Sequence, residues 1–209
     1  MPNPRPSINP RATTLALSAA LAAAAPVANH ALASILIKDG RFTSWTFGAD
    51  DFNGGTAIMT VDRTFGDPKP GVINTTITNQ SNYAYGYGLD QGAPVSADLE
   101  AAKFTMSVDF ESGAGAFGEG QALCLVAQQS GSVYLSQACV YIYLSSTWKK
   151  VTLKGTLTAT DFTLISGTGP QNPDFTSGIS TVFGFAGGNS YSNTVVNYYD
   201  NFKLKITPK

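Results

Sequence analysis

The segment KFTMSVDFE, from Lys103 to Glu111, alternates apolar and polar residues without interruption. In an extended chain, Phe104, Met106, Val108 and Phe110 share one face, and the charged and hydroxyl residues between them share the other. This period of two residues predicts a β-strand with one buried face and one face in water. The fold class follows from how often the pattern recurs.

Shorter runs of the same kind recur along the chain between residues 42 and 207, and turn-rich segments such as 112–120 and 166–178 separate them. No segment shows an apolar period of 3.6 residues with caps at both ends. About ten short strands in one domain predict an all-β fold, an antiparallel β-sandwich of the jelly-roll type.

The N-terminal 33 residues have the pattern of a signal peptide. Arg5 and Arg11 precede an apolar run, residues 13–25, and Ala31-Leu32-Ala33 fits an A-x-A cleavage site. We therefore predict a signal peptide at 1–33 and a single β-sandwich domain at 34–209. No segment reaches the roughly 18 apolar residues of a membrane span. The expected location is extracellular, or periplasmic in a bacterial host.

Charge and histidine content exclude several classes of function. The single histidine, His30, lies in the predicted signal peptide, so the mature chain has no imidazole for a catalytic triad or a metal site. Removing Arg5 and Arg11 leaves 11 basic residues against 14 acidic ones, a net charge of about −3. This balance predicts no binding to nucleic acid.

The only two cysteines fall in one predicted hairpin, 121–144. A two-residue type II′ turn at Gly131-Ser132 places Cys124 directly opposite Cys139. Opposed residues in such a ladder are within disulfide range, and export favours oxidation. We predict a Cys124–Cys139 disulfide; a longer loop would shift the register and leave two buried thiols instead.

Three tyrosines, Tyr83, Tyr85 and Tyr87, alternate in NYAYGYGLD and so share one face of a strand. Such a row can stack on the apolar face of a sugar ring, or it can belong to the core with hydroxyls at the rim. The same two interpretations apply to Tyr141, Tyr143, Tyr198 and Tyr199.

Asp109 and Glu111 are two residues apart on the polar face of their strand and are candidates for a catalytic carboxylate pair. Glycoside hydrolysis needs two carboxyl groups flanking the bond, one with a raised pKa. Exposure on a wet sheet face does not raise a carboxyl pKa, so a solvated pair is favoured.

The closing stretch NYYDNFKLKI, Asn197 to Ile206, places Phe202, Leu204 and Ile206 on one face, predicted to be buried. The same parity extended backwards predicts that Asp200 also points inward. A buried carboxylate without a partner is costly, so Asp200 needs one.

Together, KDGRFTSW (Lys38–Trp45) and DNFKLKI (Asp200–Ile206) resemble the start and finish of galactose-binding-like jelly-roll carbohydrate-binding modules. These modules open with Asn-Gly-x-Phe-Glu followed by Trp and close with an Asp-Asn-hydrophobic strand. The segments 148–162 and 173–185 are similar to the strands before the closing one. The resemblance covers most of the mature chain.

The resemblance implies that the first and last strands are adjacent and that a structural calcium ion lies between them. Asp200 matches the closing Asp, Asp39 stands where the family has Asn, and Thr43 stands where it has Glu, which weakens the expected ligand set. The alternative partners of Asp200 are backbone N–H groups or Arg41. In both cases Asp200 is expected to fasten the closing strand to the opening one.

The function that these observations favour is non-catalytic binding of a glycan or polysaccharide by a secreted protein. Candidate stacking residues are Trp45, Tyr83, Tyr85 and Tyr87, and Asn189 and Asn193 are candidates for sugar hydrogen bonds. Trp148 fits better as a core residue. The alternative is a structural or adhesive matrix or envelope protein that binds other proteins of that layer. A carboxylate-based glycan hydrolase or lyase is the third hypothesis.

Overall fold

The computed structural model describes residues 33–39, 41–52, 55–67, 70–77, 83–113, 121–143, 145–176, 178–189 and 194–209. The predicted signal peptide lies outside these ranges except for Ala33, and it stays a prediction. Within the described part, no helix is long and apolar enough to cross a membrane.

Strands account for most of the described chain. They are β1 (Ile35–Asp39), β2 (Trp45–Phe52), β3 (Thr56–Asp62), β4 (Gly71–Ile77), β5 (Tyr83–Asp90), β6 (Lys103–Ser112), β7 (Gln121–Gln129), β8 (Ser132–Ile142), β9 (Lys149–Thr156), β10 (Phe162–Ser166), β11 (Val182–Asn189) and β12 (Thr194–Thr207). One 3₁₀ turn, Ala159–Asp161, precedes β10.

The strands form two antiparallel sheets. In the first sheet the order is β3-β4-β12-β6-β9, with β1 also paired to β12; in the second sheet it is β10-β8-β7-β11-β5-β2. This arrangement confirms the predicted all-β, antiparallel sandwich. Strands β1 and β12 pair from Ile35 opposite Ile206 to Asp39 opposite Phe202, so the first and last strands are adjacent, as expected.

The main core lies between the two sheets. The alternation in β6 is confirmed, because Phe104, Met106, Val108 and Phe110 are all buried. Facing them from the second sheet are the buried side chains of β7 and β11, including Phe185. Full burial of an aromatic side chain contributes about 1.5–3 kcal/mol, so these strands supply much of the stability.

Trp45 is a core residue. Its ring lies 5.0 Å from that of Phe42, 5.6 Å from Phe185 and 5.1 Å from Phe202, measured between centroids, and only 9% of its surface is exposed. The prediction that Trp45 stacks on a sugar is therefore wrong, since neighbouring side chains cover its ring. Its indole N–H donates to Asp39 Oδ2 at 3.1 Å.

The Cys124–Cys139 disulfide is confirmed, with Cα atoms 4.4 Å apart. The predicted turn is wrong by one residue. The turn is Ser130-Gly131, with positive φ at both residues (48° and 83°), which is a type I′ turn. Gln129 therefore faces Ser132, and a β-bulge between Cys124 and Val126 shifts the register so that the cysteines still face each other.

Strand β12 also contains a bulge, at Asp200 and Asn201, where its register against β6 shifts. Asn201 takes a φ of 52° there. Before the bulge Tyr199 faces the core, and after it Phe202 does, with both side chains fully buried. The inserted residue reverses the parity. The inward direction predicted for Asp200 is therefore wrong, and Asp200 is directly opposite Asp109 on the outer face.

Candidate functional site

The outer face of the second sheet is the first candidate site, because it is apolar where a water-facing sheet is normally polar. In β7, every residue from Gln121 to Ala127 is buried, whereas β6 alternates. The outward residues of β7 belong to a second apolar cluster, separate from the main core. It comprises Tyr87, Leu89, Ala122, Cys124, Val126, Val133 and Ala186. A continuous apolar run is typical of a strand covered on both faces.

Five residues form one line across this outer face, and we call them the tyrosine row. The strand registers place Asp50 beside Tyr85, Tyr85 beside Gly188, Gly188 beside Ala122, and Ala122 beside Tyr141. Directly paired residues point to the same side of a sheet. Two tyrosines three strands apart, about 14 Å at 4.8 Å per strand, thus flank two small residues.

The ring of Tyr85 lies on Gly188. A Cβ atom added at Gly188 would coincide with Tyr85 ring atoms, from Cγ to Cε1. The next lateral line repeats the arrangement, because the end of the Tyr87 ring occupies the space above Gly48. Glycine is required at both positions so that an aromatic ring can lie against the backbone. A ring held in this way presents its opposite face away from the sheet.

Exposure differs between the two tyrosines of the tyrosine row and Tyr87 on the next lateral line. Tyr141 is 69% exposed, Tyr85 is half-buried, and Tyr87 is buried at 8%. The structure therefore brings Tyr85 together with Tyr141, for which the sequence left two interpretations open. Tyr87 supports the face from within the apolar cluster.

The remaining predicted sugar contacts fall partly outside the described residues. Tyr83 is paired with Phe52 and Asn189 with Gln121 through the backbone, and their side chains are not described. Asn193 lies outside the described residues. These three stay predictions.

Amide side chains mark the other end of the same face. Gln91 Nε2 donates to Thr46 Oγ1 and to Gln128 Oε1, both at 2.9 Å. Thr46 and Gln91 are exposed, and Gln128 is half-buried. The face can therefore offer aromatic rings at one end and amide groups at the other, and the residues of the apolar cluster between them are buried.

The two candidate catalytic carboxylates lie on the outer face of the first sheet, away from the tyrosine row. Asp109 Oδ1 forms an ion pair with Lys150 Nζ at 2.8 Å, and Asp109 Oδ2 accepts from Asn201 Nδ2 at 2.9 Å. Glu111 is half-buried on the same strand. Asp109 is thus engaged by two donors, an arrangement that suits a structural role.

Asp200 is fully buried beneath the connection between β3 and β4. It accepts hydrogen bonds from the backbone N–H groups of Asp67 and Asn201, while the Asn201 amide donates to the Asp67 carbonyl. Backbone donors are thus its partners, which was one of the two expected alternatives. The strand it fastens is different: Asp200 ties β12 to the β3–β4 connection, at the point where pairing with β4 ends and pairing with β1 begins.

Burial raises the pKa of the Asp200 carboxyl to about 6. Donation by the N–H groups of Asn201 and Asp67 lowers the pKa, and the nearby carboxylates of Asp109 and Asp67 raise it. Desolvation is the largest of these effects, because the charged form is the one that burial disfavours.

The carboxylate of Asp39 accepts hydrogen bonds from the loop that follows it. Its carboxylate accepts from the backbone N–H groups of Arg41 (2.7 Å), Phe42 (3.1 Å) and Thr43 (3.3 Å), in addition to the Trp45 indole. N–H groups pointing at a carboxylate oppose a cation at the same oxygens. The described residues also contain no group of three or more His, Cys, Asp or Glu side chains arranged for a metal.

These contacts do not fit a calcium ion held by Asp39, Thr43 and Asp200, because calcium needs six to eight oxygen ligands. The carboxylates of Asp39 and Asp200 bind the N–H groups of two different loops. Calcium binding stays a prediction, which chelation can test.

A second group of aromatic side chains, missed in the sequence, lies on the outer face of the first sheet. The ring centroid of Phe65 is 4.1 Å from Tyr198 and 5.4 Å from Trp148, and all three are half-buried. The interpretation of Trp148 as a core residue is therefore wrong. These rings pack on one another, and each of them is less exposed than Tyr141.

No protein-family model matches the chain, and no curated protein matches it in sequence. Among solved structures, the family 11 carbohydrate-binding module of Clostridium thermocellum, in complex with a β-1,3-1,4-mixed-linked tetrasaccharide, is similar at 12% identity and a TM-score of 0.47. The match covers 81% of this chain and 94% of that chain.

Two further similar structures are modules of family 22. For the CBM22-1 xylan-binding domain from Paenibacillus barcinonensis the identity is 12% and the TM-score 0.43, covering 86% of this chain and 96% of that one. For the CBM22-1 and GH10 modules of Clostridium thermocellum xylanase 10B, complexed with xylohexaose, the values are 14% and 0.44, covering 83% and 28%. Likenesses of this size do not carry a ligand or an activity from one protein to another.

Proposed function

We propose that this protein binds a glycan through the outer face of its second sheet, without cleaving it. The observation that carries the proposal is the tyrosine row, in which Tyr85 and Tyr141 flank Gly188 and Ala122 on one face. Sugar rings have one apolar face that packs on an aromatic ring, while their hydroxyls reach polar groups at the edge. The row supplies the rings, and the face around it supplies the polar groups.

The packing of Tyr85 supports this proposal. Its ring is fixed against Gly188 before any ligand arrives, so little side-chain freedom is lost on binding. Asp50 lies at the edge-strand end of the row, and Thr46, Gln91 and Gln128 lie at the far end of the face. An extended saccharide of several residues would span the distance between the two groups.

Binding without catalysis is supported because glycoside hydrolysis needs two carboxyl groups, and the tyrosine row contains one carboxylate, that of Asp50. Asp109 is engaged by Lys150 and Asn201 on the other sheet, and Asp200 is buried beneath the β3–β4 connection. Neither lies on the face of the tyrosine row. The predicted signal peptide and the Cys124–Cys139 disulfide support a location outside the cytoplasm.

Affinity electrophoresis through gels that contain neutral polysaccharides, xylan and mixed-linked β-glucan among them, tests the proposal. We expect retardation of the wild-type protein and at least tenfold weaker binding by Tyr85→Ala, because one aromatic stacking partner is lost. The matched control is Tyr198→Ala, since Tyr198 is also a half-buried tyrosine but lies on the first sheet. Equal loss in both variants, or no retardation of the wild type by any polysaccharide, would contradict the proposal.

The matrix or adhesive function remains the second candidate, and exposed apolar side chains on the first sheet favour it. Ile58, on edge strand β3, is 60% exposed, and Leu36, on β1, is 57% exposed. An edge strand with apolar side chains is a surface that can pair with another protein. Capture of a partner protein that Ile58→Lys abolishes and Tyr85→Ala does not would favour this function.

A further inference from the structure

A cavity lies at the edge of the sandwich, where β2 and β3 meet. It is separate from the outer face of the second sheet, which we call the glycan face. Its volume is about 420 Å³, and it is lined by Arg41, Phe42, Thr43, Val61, Arg63 and Pro70. It lies at the start of β2, whereas Asp50 of the tyrosine row lies five residues further along that strand. At about 3.4 Å per residue, the two regions are roughly 17 Å apart along the strand.

One wall of the cavity is the connection between β1 and β2, which is held in a fixed conformation. Phe42 takes a φ of 51°, which is uncommon for a bulky residue. Hydrogen bonds from the backbone N–H groups of residues 41–43 to the Asp39 carboxylate stabilise this turn. The Phe42 side chain is thereby buried against Trp45, while Arg41 and Thr43 are exposed.

The opposite wall is the end of β3, where Arg63 follows Asp62. The Asp62 carboxylate accepts hydrogen bonds from the backbone N–H and the hydroxyl of Thr64, both at 2.7 Å. These bonds direct the Asp62 carboxylate to the turn that follows it. Arg63 is exposed, and Val61 beside it contributes apolar lining.

The two guanidinium groups have no ion pair or hydrogen bond within the part of the chain that the structure describes, where the one ion pair is Lys150–Asp109. The nearest carboxylates in sequence, Asp39 and Asp62, accept hydrogen bonds from their own turns. The chain as a whole carries a net charge of −1. Two unpaired arginines at one cavity are therefore a local concentration of positive charge that the rest of the chain does not explain.

We propose that this cavity binds the anionic substituent of an acidic saccharide, a carboxylate of a uronic acid or a sulfate ester. Guanidinium groups bind planar or tetrahedral oxyanions through paired N–H donors, and Arg is preferred over Lys for this purpose. The apolar lining at Val61 and Pro70 suits the carbon skeleton that carries the anion. The identity of the ligand as a saccharide rests on the proposed function, but the binding of an anion does not.

Isothermal titration calorimetry on the purified protein tests the proposal with three oligosaccharide series at low salt. The series are oligogalacturonates, which carry carboxylates, sulfated carrageenan oligosaccharides, and neutral mixed-linked β-glucan oligosaccharides. Variants Arg41→Gln and Arg63→Gln remove the charges one at a time. Lys154→Gln is the control, because it removes an exposed positive charge from strand β9.

For one of the two anionic series we expect affinity to fall about tenfold with each arginine substitution, the size expected for a charge-assisted hydrogen bond. Lys154→Gln should leave it unchanged, and affinity should fall as salt rises. The series that binds identifies the anion. Failure of both anionic series to bind, or an equal loss with Lys154→Gln, would overturn the proposal.

Titration with neutral glucan distinguishes the failure of the anion site from the failure of the proposed glycan-binding function. Binding of neutral glucan that depends on Tyr85 and not on the arginines, with no anion binding, would refute the anion site and leave the proposed function intact. Anion binding that depends on the arginines, with no effect of Tyr85→Ala on any saccharide, would refute the glycan face and keep the anion site.

Discussion

The outer faces of the two sheets differ in a way that their strand patterns explain. The first sheet carries exposed lysines along β1, β6, β9 and β12, and they are Lys38, Lys103, Lys150, Lys154, Lys203 and Lys205. The second sheet carries tyrosines over glycines and a buried apolar cluster on the corresponding face. The outer face of the first sheet therefore carries most of its charge as lysine, whereas that of the second sheet is mainly aromatic and apolar.

Strands β6 and β7 show where this difference originates. Strand β6 alternates strictly, so its outer residues are hydroxyl and charged groups. Strand β7 reads QALCLVAQQ and is buried on both faces from Gln121 to Ala127. In a two-sheet sandwich one face of each sheet is covered by the other sheet, and the second face of β7 is buried by a separate cluster to which Tyr87 belongs and against which Tyr85 packs.

The largest expected difference between the two outer faces concerns stability. Replacing both cysteines by serine removes a cross-link with a sequence separation of 15 on the second sheet. The expected loss in free energy of unfolding is about 3 kcal/mol, as for a loop of that length. Removing the Lys150–Asp109 ion pair on the first sheet with Lys150→Met should cost less than about 1 kcal/mol, because Lys150 is 61% exposed. Urea unfolding of both variants measures the two losses, and a larger loss for Lys150→Met would contradict the comparison.

Asp200, in strand β12 of the first sheet, makes the stability of the folded chain depend on pH. The pKa of its carboxyl is about 6 in the folded chain, against an ordinary value of 3.8 for an aspartate. The folded state therefore holds a proton that the unfolded state releases between these values, so stability falls as the pH rises from about 4 to 6. The full effect is up to about 3 kcal/mol, at 1.36 kcal/mol per pKa unit.

Measuring the free energy of unfolding at several pH values, for wild type and Asp200→Asn, isolates this contribution. We expect a decline between pH 4 and 6 in the wild type that is absent or much smaller in the variant. Identical pH profiles for the two proteins would show that Asp200 is not the group responsible.

Matched glycine substitutions compare the tyrosines of the two faces. Gly188→Ala places a methyl group where the Tyr85 ring lies, and Gly113→Ala places one against the end of the Tyr198 ring. We expect Gly188→Ala to weaken polysaccharide binding about tenfold, because the Tyr85 ring must move from its position. Gly113→Ala should leave the affinity unchanged. The same gel retardation assay measures both, and equal effects would argue against a site at Tyr85.

Chelation is expected to have the smallest effect. Because N–H donors engage the Asp39 and Asp200 carboxylates, we expect the melting temperature to change by less than about 1 °C when EGTA is added. A fall of several degrees, restored by added calcium, would establish the calcium ion that the sequence resemblance implies.

The fold could be predicted from the sequence because strand alternation and turn composition are local. The alternation in β6 was predicted from the residues themselves, and the adjacency of the first and last strands was predicted from the family resemblance. The β-bulges were not, since an inserted residue depends on neighbouring strands. For that reason the direction of Asp200 was predicted wrongly, while the disulfide was predicted correctly from a turn placed one residue too far along.

The candidate site could be predicted only in part. Alternation placed Tyr85 and Tyr87 on one face, but it could not show that Tyr141 lies in line with Tyr85 across two intervening strands, which depends on the order β5-β11-β7-β8. The two tryptophans show the same limit. Trp45 is buried and Trp148 is half-buried against Phe65, the reverse of the prediction, because residue type alone does not decide which aromatic ring the other sheet covers.

The position of the saccharide on the protein is the most direct test of the central claim. We would titrate isotope-labelled protein with the oligosaccharide that binds best and follow backbone amide chemical shifts by NMR. We expect the largest shifts at Tyr85, Gly188, Ala122 and Tyr141, with the amides of β6 and β12 unchanged. Shifts concentrated on the lysine-bearing face of the first sheet, or spread evenly over both faces, would contradict it.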